Sequence, residues 1–191
     1  MSFSHPAFAF TRGHLTTVRP MYIREKKGTW MLHTGGASNV QGVGLGVVLK
    51  SPQGKRIVLA VRCEFGATNN ESEYEALIFG LTLEKDIGIK KLEVFCDSQL
   101  VVYQFSGEYI ARDERMIAYL AIVKTLAEQF DAFNVQQIPR ELNTHADVLD
   151  NLGSTLEPME FPLIPLVHIL IPAITVVVNH ERAATRSQAT T

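Results

Sequence analysis

The run Leu92-Glu93-Val94-Phe95-Cys96-Asp97 constrains this chain more than any other stretch. Leu92, Val94 and Cys96 alternate with charged or aromatic neighbours, which is the period of a short strand. The apolar run stops at Asp97, and Ser98 to Gly107 then reads as a helix with Gly107 as its stop. A carboxylate at the end of a buried strand, directly before a helix, is where open α/β sheets place their chemistry. The same position suits a helix cap, so Asp97 is either a site residue or a cap.

The flanking elements build a sheet around that strand. Trp30 to Thr34 alternates and reads as a strand ending at Gly35-Gly36-Ala37-Ser38. Val43–Leu49 and Arg56–Cys63 are two more strands, joined by the turn residues Ser51-Pro52-Gln53-Gly54. Three strands on short turns predict an antiparallel meander. Thr68-Asn69-Asn70-Glu71 is a capping box. The helix it opens carries Tyr74, Leu77, Ile78 and Leu81 at helical spacing and ends near Asp86. Glu73 falls at the edge of that apolar stripe, where an unpaired charge is costly. Asp113–Gln129 predicts a second long helix and Phe133–Ile138 a last strand. After the polar loop Arg140–Asn143, Asn143 or Thr144 caps a final helix containing Ala146, Asp147, Leu149 and Leu152.

Charge is unevenly spread along the 191 residues. Residues 1–60 hold eight Lys/Arg and one acid; the rest hold ten Lys/Arg and nineteen acids. A basic first third can face a polyanion, and an acidic remainder can hold a hard cation. Residues 1–28 read as a flexible basic arm around Arg24-Glu25-Lys26-Lys27. Cys63 and Cys96 both sit in strand-like runs, which predicts buried free thiols and an intracellular, reducing compartment. No basic-then-apolar leader pattern opens the sequence. The apolar run 161–178 is interrupted by Pro162, Pro165, His168 and Pro172. It is too broken for a membrane helix, and no membrane association is expected. It reads instead as an extended linker, or as a strand docking on something outside the chain, and residues 179–191 read as disordered.

Three acids stand at element ends: Glu73, Asp97 and Asp147. A mixed sheet can bring such ends to one edge, where clustered carboxylates need cations. Mg²⁺ suits carboxylate oxygens, and two ions about 4 Å apart activate water and stabilise the leaving oxygen of a phosphodiester.

Five motifs carry a family resemblance: Trp30-Met31-Leu32-His33-Thr34-Gly35-Gly36-Ala37-Ser38, Ala67-Thr68-Asn69-Asn70-Glu71-Ser72-Glu73-Tyr74-Glu75-Ala76-Leu77, Phe95-Cys96-Asp97-Ser98-Gln99-Leu100-Val101, Ile138-Pro139-Arg140 and Asn143-Thr144-His145-Ala146-Asp147. Together they resemble the ribonuclease H type 1 domain of plant gypsy-like retrotransposon polyproteins. The resemblance runs from about residue 29 to 153 and leaves 154–191 as an apolar, Pro-interrupted linker remnant and tail. It implies an α/β fold: a five-stranded mixed sheet, made of the antiparallel meander plus two parallel strands, flanked by helices. It implies hydrolysis of the RNA strand of RNA–DNA hybrids with two Mg²⁺ ions, Mn²⁺ being a possible substitute. Glu73, Asp97 and Asp147 fall on three of the family's four metal-binding acids. The fourth is an Asp at the end of the first strand, and here that position is Gly35.

No acid stands between Glu25 and Glu64 to replace it, and the imidazole of His33 on the same strand face is a poor partner for Mg²⁺. Thr68 and Asn70 match positions that touch the DNA strand, and Ser98 and Arg140 are further candidate nucleic-acid contacts. The loop before Asp147 lacks the mobile His of many cellular members, since His145 belongs to the helix start. The Gly107–Asp113 link carries only Arg112 as a basic residue. Weak and strongly salt-dependent hybrid binding is therefore expected of the isolated domain, as a monomer. A reverse transcriptase precedes and an integrase follows this domain in such polyproteins. No polymerase-like Asp-Asp pair stands in residues 1–28, and no zinc-type His/Cys spacing stands in the tail. The alternatives are a non-catalytic hybrid-binding module and a retroelement relic without activity.

Overall fold

Turn chemistry and helix caps set the element boundaries. The computed structural model describes residues 28–143 and 166–175. Three strands form the meander: β1 (Trp30–Asn39), β2 (Gly42–Lys50) and β3 (Arg56–Cys63). Each pairs antiparallel with the next. Helix α1 (Asn69–Ile87) opens on the reciprocal capping box of Thr68 and Glu71 and closes on Gly88, whose φ of 83° is readily adopted by glycine. Then follow β4 (Lys91–Cys96), α2 (Gln99–Ser106), α3 (Glu114–Ala127, capped by Asp113) and β5 (Ala132–Gln137). Strand β6 (Leu166–Ile169) comes last.

The sheet order is β5-β4-β1-β2-β3-β6. Strands β1, β4 and β5 are parallel neighbours, and β6 runs parallel to β3. This is the expected mixed α/β sheet with one strand more than the five predicted. The additional strand lies in the segment read as an extended linker or as a strand docking outside the chain; it is a strand, but it docks within the chain. Its pairing partner is β3 of the same chain, because an unpaired β3 edge would leave a row of backbone donors and acceptors open.

Strand β1 also runs past its predicted end, through Gly35 and Gly36 to Asn39. Gly35 pairs with Gly46 and Gly36 with Leu45, so the ladder continues where only turn chemistry was legible. Gly36 is there for a packing reason. A Cβ at Gly36 would lie 2.2 Å from the Ser72 carbonyl carbon and 2.6 Å from the Glu73 nitrogen. Backbone contact of this kind cannot be relieved by turning a side chain. Farther along, a Cβ at Gly80 would meet the Leu32 side chain. Helix α1 therefore lies flat and antiparallel on β1, with its first turn over the strand's carboxyl end.

The core forms between α1, α3 and this face of the sheet. Trp30, Leu32, Leu45, Tyr74, Leu77, Leu81, Leu92 and Tyr119 are fully buried there. Cys63 and Cys96 are buried free thiols, as expected. Among the described residues no helix is long and apolar enough to cross a membrane. The arm 1–27, the final helix with Asp147 and His145, and residues 154–165 and 176–191 lie outside the described residues.

Candidate nucleic-acid site at the strand ends

The parallel pairing of β1 with β4 fixes the site. Thr34 pairs with Cys96, so the next residues along, Gly35 and Asp97, stand side by side at the carboxyl end of the two central strands. The first turn of α1 covers the same end through its contact with Gly36, which brings Glu73 there too. The Cys96 thiol senses both acids. Burial chiefly, then the charges of Glu73 and Asp97, push it well above the usual thiol range.

Asp97 does not cap α2. The cap is Ser98, whose Oγ accepts from the Val101 N–H at 3.3 Å. Asp97 is thereby left to face Asn143, whose Nδ2 donates to Asp97 Oδ1 at 3.1 Å and to the Thr34 carbonyl at 2.9 Å. Both partners are acceptors, which fixes the orientation of the amide. Asn143 is 2% exposed, and its Oδ1 is buried without a hydrogen-bond partner among the described residues. Its side chain thus holds Asp97 to the end of β1; the final helix for which Asn143 or Thr144 is the expected cap lies outside the described residues. The signal was visible only as an Asn before a helix; its partner Thr34 is 109 residues away.

The loop carrying Arg140 is drawn to the same end. The Ile138 N–H donates to the Cys96 carbonyl at 3.0 Å, and Arg140–Leu142 then form one exposed 3₁₀ turn leading to Asn143. Thr68 and Asn70 are exposed on the first turn of α1. Thr68 Oγ1 accepts from the Glu71 N–H at 3.3 Å, and its own N–H donates to Glu71 Oε2 at 2.7 Å. Ser98 is likewise committed as an acceptor to its helix. A contact missed in the sequence ties the rim together: Asn69 Oδ1 accepts from the Ser38 N–H at 2.9 Å. An open groove of about 380 Å³ lies beside it, lined in part by Ser38, Asn39, Gln41, Arg62 and Ala67. His33 stacks on Phe95 with ring centroids 4.9 Å apart, a packing role on the sheet face.

The structure therefore brings Glu73 and Asp97 to one strand end, sets Ser98 directly after Asp97 and Arg140 on the turn that follows the Ile138–Cys96 bond, and puts Thr68 and Asn70 at the exposed start of α1. Gly35 contributes no side chain, and Asp147 lies outside the described residues. Among the described residues, no group of three or more His, Cys, Asp or Glu can hold a metal ion. Among the described residues, two carboxylates beside a glycine do not by themselves supply the oxygen ligands of a pair of Mg²⁺ ions, each of which needs several in octahedral geometry.

A mixed sheet with the meander at one side, parallel strands at the other and acids at the central strand ends defines a ribonuclease H-like domain. The reverse transcriptase-like family model matches residues 33–153, and the chain belongs to that family. The bifunctional protein Rv2228c of Mycobacterium tuberculosis is 33% identical over 118 residues, covering 61% of this chain and 32% of that protein. The chain thus spans about a third of the length of its mycobacterial relatives. The crystal structure of RNase H1 from the archaeon Halobacterium salinarum superposes with a TM-score of 0.59 at 31% identity, covering 66% of this chain and 97% of that one. LC11-RNase H1, from a compost metagenome and solved in complex with an RNA/DNA hybrid, gives a TM-score of 0.56 at 28% identity, covering 65% and 95%.

Proposed function

We propose that this chain is an RNA–DNA hybrid-binding domain of ribonuclease H type whose hydrolytic centre is silenced at Gly35. The observation that carries the reading is the strand-end arrangement. Asp97 is spared from capping, is held by a buried amide, and shares its end of the sheet with Glu73 and the exposed Thr68 and Asn70. A carboxylate arranged in this way contributes nothing to its own helix, which supports a role toward a ligand.

Recognition falls to groups that read shape and sugar. Hybrids differ from duplex DNA in their 2′-hydroxyls and groove width, and short polar side chains on a helix start can distinguish the two. Asn70 and the hydroxyl proton of Thr68 face the DNA strand in this reading, with Ser98 and Arg140 across the Asp97 loop. Ancestral hydrolysis would use Mg²⁺, or Mn²⁺, held by Glu73, Asp97 and Asp147 together with an Asp at position 35. With glycine there, binding remains and turnover is lost. In the ancestral arrangement a reverse transcriptase and an integrase flank such a domain.

Fluorescence anisotropy with a labelled RNA–DNA hybrid tests this, with duplex DNA and duplex RNA as competitors. The hybrid is expected to bind most tightly, with an affinity that falls as salt rises, and Asn70→Ala is expected to weaken it. Equal affinity for duplex DNA, or no binding to the hybrid at low salt, overturns the reading.

A further inference from the structure

The first two turns of α1 carry the residues that face the hybrid, and their support lies on the opposite side of the helix. Glu71 and Glu75 are one turn apart on α1; Arg115 and Tyr119 are one turn apart on α3. Glu71 pairs with the Arg115 guanidinium, and Glu75 Oε1 accepts from the Tyr119 hydroxyl at 2.7 Å. Tyr74 stacks on Tyr119 with ring centroids 5.6 Å apart and donates to Gln104 of α2 at 2.7 Å. A third element joins at the lower rung. The Ala173 N–H donates to the same Glu75 oxygen at 2.8 Å.

Ala173 belongs to the segment 166–175, beyond the residues matched by the family model. This segment is held by little. Four residues of β6 pair with β3 from Ala60 to Cys63, and the Glu64 N–H donates to the Ile169 carbonyl at 2.8 Å. His168 Nδ1 sits 2.6 Å from Glu64 Oε1. Ile169 and Ala173 enter the core and Val167 and Ile174 pack half-buried against it, while Leu166, Leu170 and Ile171 remain exposed. A four-residue margin strand with two buried anchors belongs to the part of a fold that opens most easily. Yet it ends on Glu75, which is 1% exposed and has few donors available to it.

We propose that residues 166–175 act as a strap that sets the position of the first two turns of α1, so that releasing it loosens Thr68, Asn70 and Glu73 without unfolding the sheet. The consequence for hybrid affinity rests on the function proposed above. With the strap released, Glu75 keeps only the Tyr119 hydroxyl and must rehydrate, and the helix moves to let water in.

The test is hydrogen exchange read by mass spectrometry on the full chain and two variants, with hybrid affinity measured in parallel. Ile169→Asp places a charge at the strap's core anchor. Ala173→Pro removes the N–H and sets the ring Cδ in its place against the Glu75 carboxylate, at the start of a helical turn whose φ proline can adopt. Both variants are expected to speed exchange in 166–175 and in 68–76 by about tenfold or more while β1 and β4 keep the protection of the parent chain. Hybrid affinity is expected to fall by about fivefold or more, roughly 1 kcal/mol. Faster exchange confined to 166–175 overturns the proposal, as does unchanged exchange throughout. Simultaneous loss of protection in β1 and β4 also overturns it, because the segment is then ordinary core. If the parent chain fails to bind hybrid, the functional reading falls and exchange alone decides the strap.

Discussion

The clamp between α1 and α3 and the strand-end site lie on the same helix, yet they are built to different standards. In the clamp the acids are served by the fold: Glu71 by the Thr68 N–H and Arg115, Glu75 by Tyr119 and Ala173. At the strand ends Gly35 offers no side chain and Asp97 is steadied by Asn143. The clamp is scaffold, and its loss costs stability. The site is carried by the scaffold without supporting it, so a group can disappear there while the fold persists. The adjacent glycines compress this contrast into two residues. Gly36 touches the backbone of α1, whereas Gly35 lies in an ordinary strand conformation outside the left-handed region.

The largest expected effect breaks or confirms that division directly. Gly36→Ala forces a Cβ into the backbone at Ser72 and is expected to cost about 3 kcal/mol or more. Gly35→Ala is expected to change stability by less than about 1 kcal/mol. Urea unfolding of both variants measures the difference, and equal losses would remove the distinction between scaffold and site.

Within the clamp, Glu75→Leu leaves the Tyr119 hydroxyl and the Ala173 N–H buried without an acceptor. A loss of roughly 2–4 kcal/mol is expected. Glu75→Gln keeps an acceptor of the same shape and is expected to lose less than half as much. Burial, opposed by the hydrogen bonds from Tyr119 and Ala173, pushes the Glu75 carboxyl up to about 7. If Gln proves as damaging as Leu, charge rather than hydrogen bonding holds the clamp.

The far end of α1 sharpens the comparison, because an acid there lacks the treatment given to Glu71 and Glu75. Glu84 is fully buried, and among the described residues neither carboxyl oxygen has a hydrogen-bond partner. Burial holds its carboxyl well above the usual range, against an ordinary value of 4.5. The folded chain therefore keeps a proton that the unfolded chain releases. The stability associated with Glu84 is full below that ordinary value and is lost as pH rises through it toward the folded value. Glu84→Met is expected to raise stability by about 1–3 kcal/mol at neutral pH. The gain should shrink as the pH is lowered toward 4, which thermal melts across pH would follow. A gain independent of pH would mean that packing and not the buried carboxyl is responsible.

How much of this could be read from the sequence follows the range of each interaction. The capping box, the hairpin turn and the alternation of β4 are local, and they placed α1, the meander and the central strand. The strand end that carries Asp97 was legible because the apolar alternation stops there. Whether Asp97 or Ser98 caps α2 was not, since adjacent residues with similar cap propensity are separated only by tertiary partners. Asn143 reaches Thr34 across 109 residues and Ala173 reaches Glu75 across 98, beyond any local pattern. The proline-broken tail concealed a strand of only four residues. The departure at Gly35 was legible only against the motif around it.

Cleavage of a labelled RNA–DNA hybrid, with Mg²⁺ and then Mn²⁺, tests the central claim most directly. The parent chain is compared with Gly35→Asp, and Asp97→Asn is placed in each background. The account predicts a silent parent chain, cleavage by Gly35→Asp, and loss of that cleavage with Asp97→Asn. Cleavage by the parent chain that disappears with Asp97→Asn would contradict it, because the site would then work without a carboxylate at position 35.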